Sequence, residues 1–280
     1  MKKDYFKNKV VLITGSSQGI GKCLAFELAS RGAKVVLNGR NAAKLKKVWL
    51  EGKEKKLEVI QFQGDVSIYE NCQKIVAQVI NHFGHLDILV NNAGMATSLS
   101  KVEHFHSETP RKSMEINYLS AFYMTQHALP HLKKTKGSIL FVSSLVGLQG
   151  MPDAAPYSAS KMALTALAES LRMELVQTGV SVGIAYVGFV ENEPGKVVLS
   201  SEGGLEPKTN PGGFKLAPID QVAKKMIWML EQRRFRAVFS FVGQLMVILK
   251  SLFPGLFFQI AKRVYLRRQK LKTTKEVTHD

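Results

Sequence analysis

Residues 10–21 read Val10-Val11-Leu12-Ile13-Thr14-Gly15-Ser16-Ser17-Gln18-Gly19-Ile20-Gly21. Four apolar β-formers, a glycine-rich turn and the first residues of a helical pattern over 20–31 stand in that order, and a second apolar run follows at 33–37. This is the signature of a βαβ unit. In such a turn the glycines let the backbone bend tightly and approach a pyrophosphate, while the free N–H groups of the helix start face the anion. The candidate contacts are Gly15, Ser16, Ser17, Gly19, Ile20 and Gly21.

Outward from this unit the rhythm repeats: apolar runs at 57–62, 86–90, 138–142 and 180–186 alternate with helical patterns at 68–83, 111–132 and 158–177. Strands separated by helices of this length pair in parallel through right-handed crossovers. The pattern predicts an α/β fold with a doubly wound, Rossmann-like parallel sheet in a single domain, residues 1–242. Residues 191–218, rich in Gly, Pro, Ser, Glu and Lys, read as a long loop. Its place after a central strand makes it a candidate substrate lid. A helix over 219–231 and a last strand over 235–241 follow, and residues 243–280 form an apolar and then basic extension.

The composition agrees with an ordinary globular chain. Of 280 residues 45% are hydrophobic and 22% charged, with 22 Gly, 9 Pro and 2 Cys, which excludes a disordered, collagen-like or disulfide-stapled protein. Cys23 and Cys72 read as small core thiols, and with so few cysteines a reducing, cytoplasmic compartment is expected. Residues 1–9 are charged and hold no apolar run, so no cleaved signal is read there. The net charge of +17 is uneven: +10 over residues 1–56, −1 over 57–230 and +8 over 231–280. With no aromatic-interleaved basic motif or recognition helix, nucleic acid is not an expected partner.

The end of the second strand, Val36-Leu37-Asn38-Gly39-Arg40, decides the nucleotide. NAD sites place a carboxylate there to accept from the ribose 2′-hydroxyl, and this chain has none. The Arg40 guanidinium suits a 2′-phosphate, with the Ser16 hydroxyl as a second donor, so NADP(H) is expected over NAD(H). Gly64-Asp65-Val66 and Asn91-Asn92-Ala93-Gly94 end the next two strands, at the sheet edge where open α/β folds bind ligands.

The constellation with the most chemistry is Ser144, Tyr157 and Lys161. A spacing of four sets phenol and ammonium on neighbouring helical turns, about 6 Å of rise apart. A nearby cation favours phenolate and lowers a tyrosine pKa from its usual ~10. The phenol then exchanges a proton near neutral pH, and Ser144, at a strand end, donates to the same substrate oxygen.

From residue 9 to about residue 192 the chain resembles the short-chain dehydrogenase/reductase family. The resemblance is carried by residues 14–21, by 91–94, by Asn117 in Met114-Glu115-Ile116-Asn117, by Ser144 in Val142-Ser143-Ser144, and by Tyr157-Ser158-Ala159-Ser160-Lys161. It implies that Tyr157 is the general acid/base, that Ser144 polarises the carbonyl, and that Lys161 holds the nicotinamide ribose and tunes Tyr157. It further implies that Asn117 supports a water relay, that Asp65 and Val66 meet adenine, and that Asn92, Ala93 and Gly94 line the ribose. A homodimer or tetramer built on the helices of Asn117 and Tyr157 is also implied.

One departure stands out. Where the family shows Pro-Gly and then threonine, this chain reads Val187-Gly188-Phe189-Val190-Glu191-Asn192-Glu193-Pro194, so the carboxamide contacts fall to the Val190 backbone and Asn192. In the extension, Leu249, Leu252, Phe253, Leu256, Ile260 and Val264 follow helical spacing, and Lys262, Arg263, Arg267, Arg268 and Lys270 cluster beyond. Lys250 interrupts the run, so a membrane span is not expected. Peripheral contact of residues 243–272 with the cytoplasmic face of an anionic membrane, or packing of a carboxy-terminal helix, is. Similar tails occur in family members that act on lipids or steroids, such as 3-ketosphinganine reductases and hydroxysteroid dehydrogenases.

The expected activity is hydride exchange between NADPH and a ketone or secondary alcohol. The apolar lid residues Val197, Val198, Leu199 and Phe214 point to a bulky hydrophobic substrate. The rivals are a ketoacyl-carrier-type reductase and a non-catalytic NADP-binding sensor or scaffold. His104 and His106 read as loop histidines, and no metal site is expected.

Overall fold

The computed structural model describes residues 4–277 except 192, 194 and 209–215. The first strand, β1 (Val10–Ile13), is buried along its length. It is an unbroken apolar run because both faces of a parallel sheet are covered. Val11 and Ile13 enter one core and Val10 and Leu12 the other, one on each side of the sheet.

Along the chain follow α1 (Gly19–Ala29), β2 (Lys34–Gly39), α2 (Ala42–Glu54), β3 (Val59–Gln63), α3 (Tyr69–Phe83), β4 (Ile88–Asn91), α4 (Glu108–Met114), a π-helical turn (Glu115–Leu119), α5 (Ser120–Thr135), β5 (Ser138–Ser144), α6 (Ala155–Glu174), β6 (Ser181–Val187), β7 (Val197–Leu199), β8 (Leu205–Pro207), α7 (Ile219–Glu231) and β9 (Arg236–Val238). Seven strands form one sheet in the order β3-β2-β1-β4-β5-β6-β9, and every pairing within it is parallel. The doubly wound α/β fold is therefore as expected. The strand order reverses between β1 and β4, which opens a crevice at their carboxyl ends.

Three elements depart from the sequence reading. Helix α2 escapes the apolar rhythm because it buries only Leu45, Val48 and Gly52 and is otherwise rich in lysine; Asn41 caps it by accepting from the Lys44 N–H at 2.9 Å. The lid is not a plain loop, for β7 and β8 pair antiparallel within it. Its strand β7 is pinned to the segment after β4: the Leu199 N–H donates to Ala96 O at 2.9 Å and the Ser98 N–H to Leu199 O at 2.7 Å. Phe214 and Asn192 lie outside the described residues.

The third is the extension. The described residues from Ser240 onward form a compact unit of their own, and those up to Phe239 form another. The continuous helical spacing read through Phe253 is broken, because α8 (Phe241–Leu252) stops there and α9 (Pro254–Val277) begins on a proline, which has no N–H to carry a helix through.

Candidate active site

The crevice is shaped by the turn after β1. Gly15 has φ +62°, and a Cβ there would stand 2.8 Å from Ala93 Cα; one on Gly21 would stand 2.4 Å from Asn92 Nδ2. Only glycine fits the first position without strain. The loop after β4 is clamped onto this turn. Thr14 Oγ1 accepts from the N–H groups of Asn92 and Ala93, each at 3.0 Å, and Asn92 Nδ2 donates to Thr14 O at 2.9 Å and Gly15 O at 3.0 Å. The Asn92 amide nitrogen therefore holds the turn. Thr14 is a site residue that the sequence reading passed over; its place at the strand end was the available signal.

The serine pair is corrected in the same way. Ser16 is fully buried: its hydroxyl donates to Ile13 O at 2.9 Å and accepts from the Asn38 N–H at 2.9 Å, and its own N–H donates to Asn38 O at 2.8 Å. Such a hydroxyl cannot also reach a phosphate. Ser17 is partly exposed, and its Oγ would lie 3.0 Å from a Cβ on Gly39, beside the end of β2. Ser17, not Ser16, is the hydroxyl available next to Arg40.

Arg40 is exposed and lines an open cleft of about 570 Å³ with Asn41, Gln63, Gly64, Asp65 and Asn71. Asp65 Oδ1 accepts from Ser67 N at 3.0 Å and from its hydroxyl at 2.7 Å. Val66 is buried in the core, and its carbonyl accepts from the Cys72 thiol at 3.1 Å. Burial pushes the Cys72 pKa up to about 12, as befits a core thiol; Cys23 is partly exposed. Beneath the cleft, Asn38 Nδ2 donates to Phe62 O at 3.0 Å and Gly64 O at 3.3 Å. A carboxylate there would face two carbonyl oxygens, so the missing acid has a structural reason as well as a recognition one.

At the other end of the crevice, β5 delivers Ser144 and α6 delivers Tyr157 and Lys161. The Ser144 hydroxyl stands beside the Tyr157 phenol, near enough to lower its pKa. Lys161 is 4% exposed, with Nζ 6.0 Å from the centre of the Tyr157 ring and donating to Val142 O at 3.0 Å. A Cβ on Gly94 would stand 2.9 Å from Asn117 Oδ1 and 3.1 Å from Lys161 Nζ, so the loop after β4 closes on the same point.

The electrostatics correct the sequence expectation. Burial raises the Tyr157 pKa above its usual value, and only the Ser144 hydroxyl pulls it down. Burial also lowers Lys161 to about 8, which makes it a weaker cation. Desolvation is the largest cause of both shifts.

Asn117 is fully buried in the π-helical turn. Its Nδ2 donates to Met95 O at 2.9 Å, Ser160 Oγ at 3.0 Å and Ser113 Oγ at 3.3 Å, and its Oδ1 accepts from the Met95 N–H at 2.8 Å. Ser160 Oγ donates in turn to Tyr157 O at 2.9 Å. The side chain is thus a clamp between three segments. Ser113, and Ser160, which the sequence reading gave no role, complete it.

Val190 pairs with Ala217, the bonds running from the Ala217 N–H to Phe189 O and from the Glu191 N–H to Ala217 O. Such a bridge turns Val190's own N–H and C=O the other way. His106 Nδ1 accepts from the Glu108 N–H at 3.2 Å at the start of α4, and His104 is exposed beside Glu103.

Comparison with known proteins adds three findings. The family model described as short chain dehydrogenase matches residues 9–201. "11-beta-hydroxysteroid dehydrogenase-like 2" of Arabidopsis thaliana is 38% identical over 197 residues, 69% of this chain and 64% of that protein. "11-beta-hydroxysteroid dehydrogenase A" of Sesamum indicum is 41% identical over 189 residues, 66% of this chain and 53% of that protein. The chain thus spans less than two thirds of these relatives. Among solved structures, an alcohol dehydrogenase from Thermococcus sibiricus complexed with 5-hydroxy-NADP superposes with a TM-score of 0.72 at 26% identity, over 83% of this chain and 96% of that one.

Proposed function

This chain belongs to the short chain dehydrogenase family, and from that premise we propose that it is an NADPH-dependent oxidoreductase interconverting a ketone and a secondary alcohol on a hydrophobic, lipid- or steroid-like substrate. The observation that carries the reading is the meeting of Ser144, Tyr157 and Lys161 at one end of the crevice, with Asn117 and Gly94 closing on the same point.

When bound, the nucleotide supplies the hydride. The chain's own groups manage the oxygen. Ser144 donates a hydrogen bond to the carbonyl oxygen, and Tyr157 gives it a proton as negative charge develops. A phenol held above its usual pKa keeps that proton at neutral pH, which suits the acid role in reduction. Lys161 stabilises the phenolate that remains, and in the oxidative direction it helps the phenol to act as base. The clamp of Ser113, Asn117 and Ser160 fixes the main chain of Tyr157.

At the far end, Arg40 and the Ser17 hydroxyl would hold a 2′-phosphate, and Asp65 and the Val66 N–H would meet the base. The 5-hydroxy-NADP held by the Thermococcus alcohol dehydrogenase supports this choice, and the absence of a carboxylate at residues 38–40 disfavours NAD(H). The apolar strand of the lid, with Val198 and Leu199 buried beside the loop after β4, supports an apolar substrate, as do the hydroxysteroid dehydrogenase names of the relatives. A homo-oligomer, a cytoplasmic setting and peripheral membrane contact through residues 243–272 belong to the same reading.

The test is NADPH and NADH oxidation against matched ketones. A higher kcat/KM for steroid-like and long-chain ketones with NADPH is expected. Faster turnover of small polar ketones, or equal use of both nucleotides, would overturn the substrate or the cofactor assignment respectively.

A further inference from the structure

Half of the large apolar side chains that are exposed among the described residues lie between 241 and 266. On α8, Phe241, Leu245, Ile248 and Leu252 recur at helical spacing and make one exposed stripe, and Phe253, Leu256 and Ile260 carry apolar surface across the break into α9. The stretch 241–261 holds a single charged residue, Lys250. Charge then changes abruptly. From residue 232 to residue 275 the sequence has eleven Lys or Arg and no Asp or Glu, with Lys262, Arg263 and Arg267 the first exposed basic groups after the apolar part.

The dimensions exclude a crossing. The 12 residues of α8 rise about 18 Å, against ~30 Å of hydrocarbon. The apolar part of α9 ends at Ala261, and no helix among the described residues is long and apolar enough to span. A surface patch this apolar needs cover, and its exclusively basic border selects a negatively charged one.

We propose that residues 241–270 bind one leaflet of an anionic bilayer as a kinked monotopic anchor, with 241–261 sunk into the headgroup–acyl boundary and Lys262, Arg263 and Arg267 among the lipid phosphates. This rests on the proposed membrane contact of residues 243–272 and adds which part is inserted, which residues meet the phosphates, and that both helix ends stay on one side.

The experiment uses the whole chain and vesicles of phosphatidylcholine with or without phosphatidylglycerol at roughly a third of the lipid, enough to give the surface a negative potential. Flotation is expected to show at least roughly tenfold tighter binding to the anionic vesicles, lost in the triple variant K262E/R263E/R267E. A fluorophore on Ile248→Cys should be quenched by a doxyl group high on the acyl chain, and trypsin added outside should still cut after Arg267 in the bound protein. Equal binding to neutral vesicles, or protection of the carboxy terminus, would overturn this anchor while leaving membrane contact standing. Failure to bind either vesicle, or lipid-free self-association abolished by Leu245→Glu, would overturn the membrane contact as well.

Discussion

At one end of the crevice Arg40 stands exposed on an open cleft, while at the other Lys161 is 4% exposed and tied to a strand carbonyl, with Asn117 and two serines fixing its helix. The first end selects by charge that water screens until a ligand arrives. The second holds its groups in place beforehand, and the cost appears in shifted proton affinities, Tyr157 upward and Lys161 downward to about 8. Recognition can therefore sit on exposed, replaceable side chains. The proton chemistry needs a buried site that is finished before the substrate enters.

This contrast is sharpest at Tyr157. Tyr157→Phe is expected to lower kcat by roughly 10²–10⁴, the scale of a lost general acid, with NADPH affinity retained in a fluorescence titration; a near-normal rate would break the contrast at its buried end. Lys161→Met tests the same end through stability. Because Lys161 titrates near 8 in the folded protein and at its ordinary 10.5 when unfolded, the unfolded chain holds more protons between these values. The nucleotide-free protein should gain stability as pH rises through that window, by roughly 3 kcal/mol in all, and urea titrations of the variant should lack the gain. A variant with the same pH slope as the parent would show that the buried cation is not the group responsible.

The exposed end should give smaller and more selective effects. Arg40→Ala is expected to raise KM for NADPH about 10- to 100-fold, the scale of a lost charge-assisted bond, and to leave KM for NADH within about twofold. An equal rise for both would mean that Arg40 does not sense the phosphate. The smallest effect separates the two serines: Ser17→Ala should weaken NADPH several-fold, about 1 kcal/mol, and Ser16→Ala should lower Tm without changing the preference for NADPH over NADH. The opposite pattern would reverse their assignment.

The sheet was legible because each strand is an apolar run between helices, and periodicity carries that information. Helix α2 was not, since three buried positions in a lysine-rich stretch leave almost no stripe. The three-residue strands of the lid depend on pairing with each other and with Thr97, and no local pattern announces that. At the site, the residue types at 144, 157 and 161 were readable, yet their proton affinities were not, because burial is a property of the fold. The same limit separated Ser16 from Ser17: adjacent side chains in a turn point to different sides, and the sequence does not say which. In the extension, Pro254 was visible, but helical spacing alone carried the reading past it.

The π-helical turn at Glu115–Leu119 has a bearing on how this chain can vary. It packs one surplus residue into an otherwise regular helix, and each residue turns a helix by about 100°. Deleting any one residue between Ser113 and Asn117 would close the turn to a regular α-helix and shorten their spacing from four residues to three, which breaks the 3.3 Å bond between them and with it the clamp. Length changes in descendants of this sequence should therefore accumulate in the lid and at the termini, while the span from residue 108 to residue 135 keeps a constant count.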